Sequence, residues 1–417
     1  MSTLEVYVRD RRVGTLREDI ATGLIDFEYL PDTPPEYAAS LTMPVGVARE
    51  EYLGFNGLPP PFEVSLPEGA VLDAIRIRFG KHIDVDDDLA LLRLVGRHTV
   101  GCVTFGGPLE TDASLEKEIL RAARSDEAAR RLTGILGKSP QMSGMAGVMP
   151  KMSASRANRR PGTLVGQGVI VKFDSPNFRG ASLVEYACLK ACAAAGLDVP
   201  RIALSPDYTS ITIDRFDLDG KGRRLGFEDA CALSGIRRSG KYSGSVEQVF
   251  GMIGNFVHPE HQEEDRHALL RLMIMNDVLR NGDAHLKNFG LLYGEDLARP
   301  RLSPVYDVLT TQVWIPRDSP ALPLSTGKGM PQSPRWLEEQ DLEPLREIAG
   351  VDNVNLKDLY AFCADTAMGS LNETFGQCRP CAERDALNRA IKCVEKAWAQ
   401  WEERMGDEVE RDPSAFG

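Results

Sequence analysis

The sequence lacks any run of about 20 uninterrupted apolar residues, the length that a membrane-spanning helix requires. Its first ten residues alternate apolar with polar side chains and include acidic ones, which is not the pattern of a signal peptide. Cysteine is also sparse, because eight in 417 residues are too few for a disulfide scaffold and favour a reducing compartment. We therefore expect a cytoplasmic protein with no membrane partner.

Basic residues are in deficit as well. The chain has 49 Lys and Arg against 61 Asp and Glu, which gives a net charge of −12. A protein that binds nucleic acid by itself gains most of its affinity by neutralising phosphates. The charge therefore argues against a stand-alone nucleic-acid binder, although it allows DNA contact through a partner.

The length of 417 residues predicts two or three domains, at about 150 residues each. Residues 1–108 contain alternating patterns of short strands at 4–9 and 24–29, followed by helical patterns at 70–80 and 86–95. We interpret this segment as a small N-terminal α+β subdomain, and we assign no chemistry to its residues.

The remaining chain is predicted to form two lobes, over 109–222 and 223–417. The first contains a charged helix, two strands and a helix between the strands, at 113–137, 168–173, 210–216 and 182–195. The second is dominated by helical periodicity, notably at 246–256, 264–280, 354–369 and 381–403. A sheet-containing lobe followed by a helical lobe is the outline of a two-lobed, ATP-dependent kinase of the α+β class.

The strongest motif is the segment 281–288, Asn-Gly-Asp-Ala-His-Leu-Lys-Asn, directly after the predicted helix 264–280. Phosphoryl transfer needs a carboxylate to orient and deprotonate the attacking hydroxyl, and oxygen ligands for magnesium. In the catalytic loop of protein kinases these two residues are five positions apart, as are Asp283 and Asn288. His285 and Lys287 lie between them and are candidates for neutralising charge on the transferred group.

A second magnesium ligand is expected after this loop. Asp307 follows Asn288 by 19 residues, beyond an apolar run at 289–293 that predicts a hairpin. Magnesium keeps several waters and needs few protein ligands, so one Asn and one Asp suffice beside the nucleotide. The alternative interpretation is an acidic surface loop and an unrelated aspartate at the end of a strand.

A kinase also needs a lysine on a strand, paired with a glutamate on a helix, to hold the α- and β-phosphates of ATP. Lys172 ends a β-branched run, and Glu185 follows 13 residues later in the predicted helix. Since an unpaired lysine is costly to bury, a partner is expected. The alternative is an exposed lysine on an edge strand.

Two further segments complete the predicted ATP site. The strand 210–216 leads into a connector where backbone groups at Asp214 are available to adenine and Phe216 can pack on its ring. The Gly- and Met-rich loop 142–153 contains Gly147 and Lys151, whose backbone N–H group and ammonium can approach phosphates. This loop matches neither of the common glycine-rich phosphate-binding patterns.

The order of these motifs resembles the HipA family of serine/threonine kinases, the toxins of HipBA toxin–antitoxin modules. The resemblance rests on the segment 281–288, on Pro304-x-Tyr-Asp307, on Ala146-Gly-Val-Met-Pro-Lys151 and on Leu66-Pro-Glu-Gly69 in the N-terminal subdomain. It extends over essentially the whole chain. It implies a kinase-like, two-lobed fold that uses ATP and Mg²⁺.

The resemblance also implies roles and partners. Asp283 would be the catalytic base, Asn288 and Asp307 the magnesium ligands, and Lys172 the lysine that holds phosphates. The partner would be a small HipB-like helix-turn-helix antitoxin that binds operator DNA, so that DNA contact is indirect. The substrate would be a translation component such as an aminoacyl-tRNA synthetase.

The chain departs from the family pattern at two places. Asp214 replaces the glutamate of a Glu-Arg-Phe connector, which is tolerable if the contacts there are made by the main chain. Many members carry a serine two residues before the Ala-Gly of the loop, and its autophosphorylation switches the kinase off. That position is Gly144 here, with Ser143 immediately before it, so self-inactivation by that route is in doubt.

Two other functions fit parts of the sequence. A small-molecule kinase of the aminoglycoside-phosphotransferase type also uses Gly-Asp followed five residues later by Asn. A non-catalytic pseudokinase would serve as a scaffold that binds an antitoxin. The N-terminal subdomain disfavours the first, and the complete set Lys172, Asp283, Asn288 and Asp307 disfavours the second.

Overall fold

A computed structural model describes residues 2–19, 21–47, 55–108, 113–139, 162–165, 168–324 and 333–405. Helices and antiparallel sheets are both present, so the predicted α+β class is confirmed. None of the helices in these residues is long and apolar enough to cross a membrane.

The N-terminal part of the chain forms a five-stranded antiparallel sheet. Its strands are β1 Ser2–Val8, β2 Arg11–Asp19, β3 Leu24–Tyr29, β4 Phe55–Asn56 and β5 Val103–Phe105, in the order β4-β3-β2-β1-β5. The alternating side chains Leu4, Val6 and Val8 of β1 are buried on one face, as the period-two pattern predicts. The strands predicted at 4–9 and 24–29 are thereby confirmed.

Five helices accompany this sheet: α1 Pro60–Glu63, α2 Gly69–Phe79, α3 Asp88–Val95, α4 Ala113–Ala123 and α5 Ala128–Lys138. The prediction of a single charged helix at 113–137 is wrong, because the helix is interrupted between the end of α4 and the start of α5. The side chains of Asp207 and Thr209, from a distant loop, each accept a hydrogen bond of 3.0 Å from the first backbone N–H groups of α5. This cap comes from another part of the chain, so no local pattern reveals it.

A second antiparallel sheet consists of β6 Gly162–Val165, β7 Val169–Phe173, β8 Ile202–Leu204 and β9 Ser210–Asp214. Its strand order is β6-β7-β9-β8, and helix α6 Ala181–Ala194 packs against it. Strand β7 is therefore an inner strand, with partners on both sides.

The rest of the described chain is mainly helical, with one small sheet of three strands, β10 Gly226–Asp229, β11 Gly290–Tyr293 and β12 Arg301–Leu302. Its helices are α7 Ala230–Leu233, α8 Val246–Phe256, α9 Pro259–Val278, α10 Glu339–Ala349, α11 Leu356–Gln377 and α12 Ala382–Met405. The hairpin predicted after the 281–288 segment is confirmed, because β11 pairs with β12. Helix α9 begins earlier than predicted, with Pro259 in its first turn.

Strand β7 lies between two hydrophobic cores. Ile170 belongs to the core that contains α6 and the C-terminal helices, whereas Val171 and Phe173 belong to the core of the N-terminal sheet. Successive side chains of a strand point to opposite faces. Lys172 therefore shares the face of Ile170, toward the C-terminal helices.

The buried carboxylate of Glu228 joins the N-terminal sheet region to the C-terminal part of the chain. Glu228 of β10 accepts hydrogen bonds from the Ser40 hydroxyl at 2.6 Å, from the Leu41 backbone N–H at 2.7 Å and from the Tyr293 hydroxyl at 2.7 Å. Burial raises the pKa of the Glu228 carboxyl. Since each bond satisfies a polar group that has lost water, these contacts specify how the two parts dock.

Candidate active site

Lys172, Glu185 and Asp307 meet in one cluster, although they come from three separate segments. The Lys172 Nζ atom donates to Glu185 Oε1 at 2.5 Å and also contacts Asp307 Oδ1. The side chain of Lys172 is 12% exposed, that of Glu185 1% and that of Asp307 20%. The alternative of an exposed lysine on an edge strand is therefore wrong.

The turn between β7 and α6 brings Glu185 to Lys172. Asp174 directly follows β7, and its Oδ1 accepts a hydrogen bond of 2.9 Å from the backbone N–H of Ser182 in the first turn of α6. Its other carboxylate oxygen accepts from the N–H of Gly180, whose φ of +80° is in the left-handed region that favours glycine. Asp174 thus holds the start of the helix against the end of the strand.

The segment 281–288 forms a compact loop after α9. The Thr311 hydroxyl accepts a hydrogen bond of 2.8 Å from the backbone N–H of Gly282. The Asn281 side chain donates to Asn276 Oδ1 at 2.7 Å and to the Asp307 carbonyl at 3.4 Å. Polar side chains outside the loop therefore position it next to Asp307.

Asp283 is buried in this loop, with an exposed fraction of 6%. The Tyr242 hydroxyl donates a hydrogen bond of 2.5 Å to its Oδ1 atom. Burial raises the pKa of Asp283 to about 7, while the Tyr242 hydrogen bond and the Lys241 ammonium oppose that rise. A carboxyl with a pKa near neutrality is suited to accept a proton from a hydroxyl, and the alternative of an acidic surface loop is wrong for this residue.

His285 and Asn288 stabilise the loop from within. The His285 backbone N–H donates to Asn288 Oδ1 at 3.0 Å, and the Asn288 N–H donates to the His285 carbonyl at 2.9 Å. The His285 ring is 2% exposed and packs edge-on against Tyr242, with ring centroids 5.0 Å apart. The catalytic role assigned to His285 stays a prediction, and its observed contact is with the tyrosine that bonds Asp283.

Lys287 lies between two carboxylates, with its Nζ atom 3.6 Å from Glu68 and 3.6 Å from Asp229. Burial lowers the pKa of Lys287, but these two carboxylates raise it by more, so the pKa is raised overall. Glu68 also accepts a hydrogen bond of 3.0 Å from the fully buried Lys241. Glu68 of the N-terminal subdomain thus contacts two lysines beside Asp283, whereas the expectation that this subdomain carries no chemistry stays a prediction.

Tyr242, Lys241 and Glu68 contact this site but were not predicted from the sequence. Glu68 lies within the Leu66–Gly69 motif, but that motif gave no indication of a distant lysine. The contacts between Glu68 and Lys241 join residues 173 positions apart, so only the folded chain reveals them.

Asp307 adopts a φ of +55°, which is uncommon for a residue other than glycine. The preceding residue, Tyr306, donates a hydrogen bond of 3.0 Å from its hydroxyl to the Lys287 carbonyl. The backbone of Asp307 is therefore held against the 281–288 loop on both sides, while its carboxylate stays partly accessible.

Phe216 stacks on Tyr306, with ring centroids 5.4 Å apart and an interplanar angle of 21°, and it also packs edge-on against Phe227. The connector after β9 thus lies beside Asp307. Asp214 ends β9 and pairs with Arg201, whose Nε donates at 2.9 Å. Gly147 and Lys151 lie outside the described residues, as do Ser143 and Gly144.

The side chains near Asp307 suit a hard divalent cation. Asn288 and Asp307 are an amide and a carboxylate, which supply the oxygen donors that magnesium prefers. Asn281 of the 281–288 loop donates to the Asp307 carbonyl, and the Asp307 carboxylate contacts Lys172. Across the described ranges no group of three or more His, Cys, Asp or Glu residues is arranged to hold a metal. A magnesium ion needs fewer protein ligands than that, because water and phosphate oxygens complete its shell.

Comparison with known families addresses the resemblance directly. Residues 4–106 match the HipA N-terminal domain, and residues 143–374 match the HipA-like C-terminal domain. The chain belongs to the HipA family.

Curated relatives of this HipA-family chain are named as kinases. The putative kinase Y4dM of Sinorhizobium fredii is 29% identical over 318 residues, which cover 71% of this chain and 73% of the relative. The putative kinase Y4mE of the same organism is 32% identical over 167 residues, which cover 38% of this chain and 39% of the relative.

A solved HipA structure has the same fold as this chain. The match is to a complex of HipA, HipB and operator DNA from Shewanella oneidensis MR-1, with a TM-score of 0.66 and 18% identity. It covers 95% of this chain and 97% of the other. The predicted two-lobed, kinase-like fold is confirmed.

The role of base that the sequence predicts for Asp283 implies that the expected phosphoryl transfer depends on pH. A base acts when deprotonated, so the rate should rise with pH through about 7 and then level off. Tyr242→Phe removes a hydrogen bond that lowers the pKa of Asp283, so the inflection should move to higher pH. Lys241, Asp318 and Glu68 also act on this carboxyl and stay unchanged in the variant.

The rate of transfer at saturating ATP, measured across pH, tests this prediction. Tyr7→Phe is the matched control, because Tyr7 also donates to a carboxylate, Glu5, at 2.7 Å but lies in the N-terminal sheet. An inflection that is the same in Tyr242→Phe and in the unaltered protein would contradict the assignment of Asp283.

Proposed function

We propose that this chain is an ATP- and Mg²⁺-dependent serine/threonine protein kinase that acts in the cytoplasm as the toxin of a toxin–antitoxin module. The observation that carries the proposal is the meeting of Lys172, Glu185 and Asp307 beside a loop that contains a buried aspartate, Asp283. Phosphoryl transfer requires these groups: a cation on a strand, its helix glutamate, a metal-binding aspartate and a base.

The proposed mechanism assigns one task to each side chain. Lys172, kept in place by Glu185, binds the α- and β-phosphates of ATP. Asn288 and Asp307 would hold the magnesium, which supplies neutralisation of phosphate charge when bound. Asp283 orients the hydroxyl of the acceptor and accepts its proton, and its raised pKa makes it a stronger base at neutral pH.

The remaining predicted residues have supporting roles in this proposal. Phe216 and the backbone of Asp214 are proposed to bind the adenine, and Gly147 and Lys151 are proposed to bind the phosphates. His285 and Lys287 support the loop, since both are buried beside Asp283 or its neighbours. Lys287 neutralises Glu68 and Asp229 in addition to any effect on the transferred group.

A HipB-like helix-turn-helix antitoxin is the proposed partner, and contact with DNA is proposed to occur through it. The similar fold of HipA in a complex with HipB and operator DNA supports this partner. The net charge of −12 is consistent with DNA contact through a second protein. A translation component such as an aminoacyl-tRNA synthetase is the proposed substrate.

A small-molecule kinase remains the second candidate, and the N-terminal region is the observation that weighs against it. Glu68 contacts Lys241 and Lys287 beside the catalytic loop, so this region is part of the candidate site. The raised pKa of Asp283 argues against a pseudokinase scaffold, because a docking role does not require it.

Transfer of radiolabelled γ-phosphate from ATP tests the proposal. The purified chain is incubated with a serine- and threonine-containing peptide library or with a panel of aminoglycosides, with Mg²⁺ or with excess chelator. We expect phosphoserine or phosphothreonine only in the peptide reaction with Mg²⁺. Labelled aminoglycoside would favour the second candidate, and turnover that is undiminished by chelator would refute the role of the metal.

A further inference from the structure

A pocket of about 550 Å³ lies between helix α12 and the segment that precedes α10. Gln312 and the residue before the catalytic loop, Arg280, also line it. Its cationic side chains are Arg280, Arg335, Lys392, Lys396 and Arg404, against one carboxylate in the lining, Glu338. This concentration of positive charge is unexpected in a chain with a net charge of −12.

The arginines are balanced by carboxylates. Arg280 pairs with Asp277 at 3.2 Å, and Arg404 pairs with Glu338 at 3.4 Å. Arg335 makes a two-point contact with the carboxylate of Asp341, at 2.6 and 2.8 Å. The surplus charge of the pocket therefore comes from the two lysines.

Lys392 and Lys396 are exposed and lie on successive turns of α12, on the same face as Gln400 and Arg404. Within the described part of the chain, no carboxylate lies within ion-pair distance of either lysine. Like charges four residues apart destabilise a helix by a few tenths of a kcal/mol. The helix dipole stabilises cations only in the last turn, which explains Arg404 but not Lys392.

Trp401 forms part of the wall of the pocket, and its ring stacks on Tyr360 with centroids 4.4 Å apart. It is 3% exposed, and its indole Nε1 has no hydrogen-bond acceptor among the described residues. A buried donor without an acceptor costs about 1–3 kcal/mol. Trp336 also lines the pocket, with the Arg280 guanidinium 4.7 Å from its ring centroid.

We propose that this pocket binds a small phosphorylated molecule of nucleotide size that carries two or more phosphate groups. The lining carries five cationic side chains against one carboxylate, and its unbalanced charge comes from two ammonium groups about one helical turn apart. The volume lies in the range of small-molecule sites. Bound ligand would contact Arg280, which directly precedes Asn281 of the catalytic loop.

Calorimetric titration of the full chain with inorganic pyrophosphate tests the site, in chelator so that no divalent metal contributes. We expect saturable binding that Lys392→Gln with Lys396→Gln weakens by on the order of tenfold or more, because two charge-assisted contacts are lost. Arginine at both positions should retain binding. Lys172→Gln should also retain it; since Lys172 is the residue proposed to hold the phosphates of ATP, this result separates the pocket from the proposed ATP site.

Lys81→Gln with Lys221→Gln is the matched control, since it removes the same charge from two exposed lysines elsewhere. An affinity that falls equally in both double variants would refute a local site, as would the absence of pyrophosphate binding in the unaltered chain. Tighter binding of a singly phosphorylated serine peptide than of pyrophosphate would overturn the proposed ligand class.

Discussion

Asp283→Asn is expected to lower the rate of phosphoryl transfer by about 10²- to 10⁴-fold, the contribution typical of a general base. ATP affinity should stay within about twofold, because Asp283 acts on the acceptor hydroxyl and not on the nucleotide. The asparagine oxygen can still accept the Tyr242 hydrogen bond, so the loop should keep its geometry. Single-turnover transfer and calorimetric titration with ATP measure the two quantities separately.

The folding of this variant provides its own control. Burial raises the pKa of Asp283 to about 7, so above that pH the folded protein holds a carboxylate that would be more stable in water. Asparagine removes this cost, and at about pH 8 the melting temperature should not fall. Asp365→Asn, at an exposed position on α11, should leave both transfer and stability unchanged. Full transfer activity in Asp283→Asn would exclude it as the base.

Asp307→Asn should abolish the contribution of magnesium to ATP binding, a loss of at least about 10- to 100-fold in affinity. Asparagine is the informative replacement, because it tolerates the φ of +55° at this position and alanine does so less readily. Lys172 keeps its bond to Glu185 in the variant, so its position should be retained.

ATP titrations with Mg²⁺ and with excess chelator measure this contribution. In the unaltered chain and in Asp283→Asn, Mg²⁺ should strengthen ATP binding, whereas in Asp307→Asn it should have no effect. Equal responses to Mg²⁺ in the two aspartate variants would contradict the division of roles between Asp283 and Asp307.

Interactions between residues that are close in the sequence were predictable from the sequence. The five-residue spacing of Asp283 and Asn288 follows from the needs of one loop, and the structure closes that loop with hydrogen bonds between residues three positions apart. The pairing of Lys172 with Glu185 was also predictable, because a strand lysine in an apolar run needs a nearby partner. Alternation and helical periodicity located most strands and helices, because both patterns depend on residues that are close in the sequence.

The tertiary structure alone decided how distant segments meet. Lys172 reaches Asp307 across 135 positions, and Glu68 reaches Lys241 across 173. The break between α4 and α5 likewise depends on caps supplied by Asp207 and Thr209. Spacing and periodicity report interactions within a few residues, whereas burial and the partners that shift a pKa arise when segments pack. The sequence by itself thus determined which groups we assign to the chemistry, and only the fold showed the environment of Asp283.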